Sequence, residues 1–235
     1  MKAELLNELQ KHVLFDRRAV AGMVNNESYA GVLLHRLKVA GDIQEVERNS
    51  YTVHKDPFLI ASRIAWPSYI SIWSALRYHN LTEQLPQAIW VVTTKKRRNT
   101  RIEFAGTEIS FLIASQKYFF GYDKIGLRGF EVFVADPEKS IIDSLLFRKV
   151  SVSEIFEILS NNLGALRKGR LADYAVRTGN RALIKRLGFM LERLGATVDG
   201  RLRKSVDSSR TPLEYNLPSA GKVDKVWNVV ENVRL

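Results

Sequence analysis

Leu5, Leu6 and Leu9 recur at helical spacing and predict a first helix over residues 3–11. The apolar run Val13, Leu14, Phe15 predicts a small strand after it. Asp16 is placed to cap a second helix over residues 17–24, because its carboxylate can accept from the free amides of the first turn. Asn25, Asn26 and Glu27 read as a turn. Ser28 then reads as the cap of a third helix over residues 29–40, ended by Gly41, where a left-handed residue costs least. Residues 43–47 and 50–54 read as short strands joined at Arg48 and Asn49, a hairpin signal. Helix, small strand, helix, short turn, helix, hairpin is the order of a winged helix-turn-helix, which is expected over residues 1–55.

Asp56-Pro57 breaks the pattern and marks a boundary. A short helix is expected over residues 58–63. Ser68, after Pro67, is expected to cap a helix from Tyr69 to Arg77 or Tyr78, and residues 67–85 read as a helix presenting Tyr69, Trp73 and Leu76 inward. Residues 88–94, 101–104, 107–114 and 129–135 carry the β-branched and aromatic runs of strands. Pro137 at N1 and Glu138 in the first turn suit a helix opening after Asp136, with Ile141, Ile142, Leu145 and Leu146 along it. Helices are expected over 152–160, 163–168, 169–178 and 180–194. Residues 203–218 read as an irregular basic segment and 222–233 as a strand or a final helix. The expected fold is α+β: an N-terminal winged helix-turn-helix (1–55), a mixed α/β body (56–150) and a mainly helical C-terminal part (151–235).

Composition sharpens this. A chain of 235 residues, 46% hydrophobic and 26% charged, can bury a core as one large domain or two small ones. It has no cysteine, which removes disulfides, thiolate zinc sites and cysteine nucleophiles together. His12, His35, His54 and His79 show no metal-ligand spacing, and no P-loop, dinucleotide fingerprint or G-x-S-x-G elbow is present. Glu103, Glu108, Glu131, Asp136 and Asp143 lack the strand-borne carboxylate and lysine spacing of a metal-dependent nuclease, so no catalytic residue, metal or cofactor is assigned. No apolar run approaches the ~18 residues of a membrane span. MKAELLNELQKH lacks the apolar stretch of a secretory leader, and a cytoplasmic, membrane-free protein is expected.

The net charge of +11 favours a polyanionic partner, nucleic acid first. Only +1 of it falls in residues 1–55, against +4 in 56–150 and +6 in 151–235, so charge alone does not mark the winged helix as the contact. If the third helix enters a major groove, Ala30, Leu33, Leu34 and Leu37 face inward. Ser28, Tyr29, Val32, His35, Arg36 and Lys38 are then the outward candidates. Arg36 suits guanine or phosphate. Arg17 and Arg18 open the second helix, where side chains and free amides meet the DNA backbone. Arg48 and Asn49 sit at the wing tip. Lys95, Lys96, Arg97 and Arg98, at a strand turn, read either as a solvated turn or, functionally, as a phosphate clamp.

Past residue 56 the sequence resembles the AbiEi antitoxin family, the regulator half of prokaryotic type IV AbiE toxin–antitoxin systems. The resemblance is carried by Tyr51-Thr52-Val53, by Asp56-Pro57-Phe58-Leu59-Ile60-Ala61, and by Pro67-Ser68-Tyr69-Ile70-Ser71 with the run from Ser74 to Pro86. Ala135-Asp136-Pro137-Glu138-Lys139-Ser140-Ile141-Ile142-Asp143 and the late Leu187-Gly188-Phe189-Met190-Leu191-Glu192 complete it. It implies a non-enzymatic, DNA-binding autorepressor acting on an operator, with inverted repeats the expected target, and a nucleotidyltransferase-like toxin as functional partner. A stand-alone winged-helix transcription factor, a protein-binding adaptor and a nucleic-acid-processing enzyme are the alternatives.

Overall fold

The computed structural model describes residues 2–235, an α+β fold that divides into two compact units interleaved along the sequence. The first comprises Met1–Tyr69, Gln87–Ile113 and Lys124–Phe133; the second comprises Ile70–Pro86, Ala114–Asp123 and Val134–Leu235. Residues 1–55 therefore lie wholly in the first unit, whereas residues 56–150 are divided between the two.

The first unit opens with three helices, α1 (Lys2–Leu9), α2 (Arg17–Val24) and α3 (Glu27–Val39), and a hairpin of β1 (Gln44–Glu47) and β2 (Ser50–Thr52). Asp16 caps α2 as expected, accepting from the Ala19 amide at 2.8 Å. The cap of α3 is Asn26 and not Ser28: its Oδ1 accepts from the Tyr29 amide at 2.9 Å, so the helix begins two residues early. Asn25, left-handed at φ 48°, closes α2, and the two asparagines compress the turn between the helices. Residues 13–15 do not extend into a strand. Phe15 forms a single antiparallel bridge with Tyr51, exchanging both backbone hydrogen bonds at 2.9 and 2.8 Å. Leu9, Phe15, Val20, Ala30, Leu34, Leu37 and Ile43 make one core beneath these elements, with Leu33 and Tyr51 half-buried against it.

Helix α4 (Pro57–Ile64) follows, capped by Asp56. Six strands come next: β4 (Ala88–Thr93), β5 (Arg101–Phe104) and β6 (Thr107–Ile113) lie wholly in this unit, and β3 (Ser68–Ile70), β7 (Tyr122–Leu127) and β8 (Phe130–Ala135) lie partly in it. They make a mixed six-stranded sheet in the order β5-β6-β4-β3-β8-β7, with β4 and β6 parallel and β5 antiparallel to β6. Its two tight turns, Ala105-Gly106 and Arg128-Gly129, have positive φ at both positions, the geometry that matches strand twist. The helix expected over 67–85 is thus corrected. Pro67 disfavours helix in the residue before it, and Ser68–Ile70 form a wholly buried strand. Strand β7 was not expected; Tyr122–Leu127 mixes polar and apolar residues on both faces and carries no clear alternation.

The second unit is mainly helical: α5 (Ile72–Tyr78), α6 (Pro137–Phe147), α7 (Val152–Asn162), α8 (Lys168–Thr178), α9 (Arg181–Arg193) and α10 (Gly200–Lys204). Residues 163–166 form a turn where a helix was expected. A three-stranded sheet, in the order β10-β11-β9, closes the chain with β9 (Thr211–Pro212), β10 (Lys222–Asp224) and β11 (Val229–Glu231), replacing the single late element expected. Helix α6 buries charge along with its apolar face. Lys139 and Asp143, one turn apart and wholly buried, form an ion pair, and the Ser71 hydroxyl donates to Asp143 at 2.8 Å. Asp136 caps the helix at Lys139 and accepts from the Tyr174 hydroxyl at 2.6 Å. Burial raises the carboxyl of Asp136 and the hydroxyl of Tyr174 above their ordinary values.

Three substitutions test these assignments by urea unfolding. Asn26→Ala is expected to cost ~1 kcal/mol, and Ser28→Ala to leave the midpoint unchanged within error. Gly188→Ala is expected to cost on the order of 1–3 kcal/mol, because a Cβ there falls 2.1 Å from the buried Trp227 ring.

Candidate nucleic-acid interface

Helix α3 divides its surface sharply. Ala30, Leu34 and Leu37 are buried, whereas Ser28, Val32, His35, Arg36 and Lys38 are exposed. Tyr29 is half-buried. One turn further along, Val39 is also exposed, so the open face mixes cationic and apolar groups: arginine, lysine, histidine, serine and two valines. Such a face offers hydrogen bonds and apolar contact in combination, as base edges and thymine methyl groups require.

Two grooves flank the helix. The one on the hairpin side, about 350 Å³, is lined by Arg17, His35, Lys38, Glu45, Arg48 and Tyr51. The other lies toward α1, about 840 Å³, and is lined largely by Leu5, Met23, Val24, Tyr29, Leu33 and Arg36. Tyr29 and Arg36 therefore lie on a different flank of the helix from His35 and Lys38.

Several of the expected contact residues have work inside the fold. The Arg17 guanidinium donates to the Glu27 carbonyl at 3.0 Å and lies over Gly31, locking α2 to α3. Asn49, left-handed at φ 61°, turns its side-chain oxygen to accept from the Arg17 amide at 3.2 Å, so the hairpin tip caps the start of α2. Lys38 pairs with Glu45 of β1. That hydrogen bond raises the Lys38 ammonium and lowers the Glu45 carboxyl. Arg18, Arg36 and Arg48 are exposed and enter no ion pair among the described residues.

The basic turn between β4 and β5 belongs to the same unit. Lys95, Lys96 and Arg98 are exposed, but Arg97 points inward. Its guanidinium pairs with Glu47 of β1, sits 4.1 Å from the centre of the Phe111 ring and donates to the Asn99 carbonyl at 3.2 Å. Nothing in the run Lys-Lys-Arg-Arg distinguishes the third residue, because its partners lie up to fifty positions away.

The carboxylates are dispersed in role. Glu131 pairs with Lys124 at 2.6 Å, which lowers its pKa, while Glu108 accepts from the Ser110 hydroxyl at 2.6 Å. Glu103 is exposed on β5, and Asp136 and Asp143 serve α6 as described. Among the described residues, no three histidine, aspartate or glutamate side chains are grouped to hold a metal ion, and no helix is long and apolar enough to cross a membrane.

No known protein family and no curated protein matches this chain in sequence. In three dimensions it is similar to the crystal structure of the RV2827C protein from Mycobacterium tuberculosis, with a TM-score of 0.62 at 10% identity. The likeness covers 97% of this chain and 89% of that one, so the fold is shared over nearly its whole length.

Proposed function

We propose that this protein is a sequence-specific, double-stranded-DNA-binding transcriptional regulator acting in the cytoplasm, and that residues 1–55 are its winged helix-turn-helix. The observation that carries the reading is the placement of α3. Its open face carries Ser28, Val32, His35 and Arg36, and its His35 flank borders a groove shared with a hairpin whose tip exposes Arg48. A helix preceded by a tight turn from α2 and flanked by a hairpin with an exposed arginine at its tip is the arrangement that sets a recognition helix into a major groove. In this reading Arg36, Ser28 and Val32 meet base edges, and Arg18 and Arg48 meet phosphates. Arg17, Asn49 and Lys38 hold the geometry that presents them.

The finer reading is autorepression as the antitoxin of a type IV pair. It is supported by the residue blocks at 56–61, 67–86 and 135–143 that resemble the AbiEi family. Co-expression with the product of the adjoining gene tests it: relief of growth arrest by this protein is the expected result. An adjoining gene whose product is harmless reduces the role to a stand-alone regulator.

DNA binding is tested by mobility shift on the fragment upstream of the protein's own gene. A retarded complex that outcompetes random duplex at moderate salt is expected. Arg36→Ala is expected to cost ~1–3 kcal/mol and relax preference at one position, whereas Arg18→Ala weakens all sequences evenly and reduces the salt slope by about 1. Absence of any preferred complex with that fragment contradicts the proposal, and identical sequence profiles for the two variants contradict the division of roles.

A further inference from the structure

We infer that the β4–β5 turn is a second contact for the DNA backbone, continuing the path of the duplex past the hairpin. This rests on the DNA-binding reading and extends it beyond residues 1–55. The starting observation is Arg97. Its ion pair with Glu47 ties the turn to β1 at the residue immediately before Arg48, the exposed cation of the hairpin tip. On the hairpin's other side, Asn49 accepts from the Arg17 amide next to exposed Arg18. Successive contacts thus join the start of α2, the hairpin tip and the basic turn within one unit. Exposed cations stand at each station: Arg18, then Arg48, then Lys95, Lys96 and Arg98.

The turn is also built to keep its shape. Thr93 Oγ1 accepts from the Lys95 amide at 3.1 Å and donates to the Pro67 carbonyl at 2.7 Å. Arg97 reaches the Ile64 carbonyl at 3.4 Å as well as Asn99. The three exposed cations are therefore carried on a pre-ordered loop, which lowers the conformational entropy lost on binding. A solvated turn needs no such anchoring, and an ion pair half withdrawn from water is a costly way to place one.

The occupant follows from chemistry. Three cations beside the tip of a DNA-binding hairpin meet the adjoining phosphates of the same duplex. They carry no base-reading geometry, so the contact is indifferent to sequence and strongly dependent on salt. Arg97 is a positioning residue here: it holds the turn against the hairpin and does not itself meet phosphate.

The test uses the full chain, a random-sequence duplex of about 40 base pairs (long enough to run past the hairpin) and binding measured across a series of salt concentrations. The variant is Lys95→Gln/Lys96→Gln/Arg98→Gln, with Arg18→Ala as the control for the winged-helix contact. The expected result is a slope of log affinity against log salt that is shallower by about 2–3 in the triple variant, with affinity at least tenfold weaker at low salt and an unchanged melting temperature. Arg97→Ala is expected to reduce the slope less than the triple variant, while broadening protease cleavage at the turn. A triple variant with wild-type slope and affinity, in an experiment where Arg18→Ala lowers both, overturns this inference and leaves the DNA-binding reading intact. A wild-type protein that binds no duplex overturns the two together.

Discussion

Arg97 lies against Phe111 with its guanidinium paired to Glu47, and only about an eighth of its side chain is open to water. A charge so far withdrawn persists only if its partner and its carbonyl acceptors are all in place, because an uncompensated buried guanidinium costs several kcal/mol. The hairpin β1–β2 is therefore held at a defined position against the sheet's β5–β6 edge. From its other side the bridge between Phe15 and Tyr51 and the cap from Asn49 to Arg17 fix it against α2. The orientation of α3 relative to the hairpin follows, since Lys38 and Glu45 pair across the groove between them. The presented face of α3 is small, but α2 and the hairpin beside it are each anchored by a named contact.

The second unit solves a different problem with similar means. Helix α6 buries Asp136, Glu138, Lys139 and Asp143, four charges within eight residues. Each has a partner: Tyr174 and the Lys139 amide for Asp136, the Arg167 amide for Glu138, and Ser71 with Lys139 for Asp143. The result is a polar spine that specifies which segments meet α6. Phe120 adds to it by placing its ring near both Lys139 and Arg177. These carboxylates are used up in holding structure, which is why they offer no open cluster for chemistry.

Much of the fold was legible where periodicity is strong. The α2 span, the Asp16 cap, the strand β5 and the start of α6 lie where residue pattern places them. Failures occurred where two local rules compete. Asn26 and Ser28 both suit a cap, and only the geometry of a two-residue turn after left-handed Asn25 favours the asparagine. In residues 67–71, an apolar and serine-rich stretch reads equally as a capped helix or a buried strand, and pairing with the rest of the sheet decides for the strand. For the candidate interface, the open face of α3 was readable from helical spacing. The inward use of Arg17, Asn49, Lys38 and Arg97 was not, because each partner is brought near by the fold and leaves no mark in the local sequence.

The central claim is that one edge of the first unit, from α3 past the hairpin to the β4–β5 turn, lies along a DNA duplex. Photocrosslinking tests it most directly, with a benzoylphenylalanine placed at Val32 or at Lys96 and an end-labelled upstream fragment. The account predicts crosslinks from both test positions, mapping to different nucleotides of one site. Crosslinks from only one of them, or from neither in a mixture that shows a stable complex, contradict it.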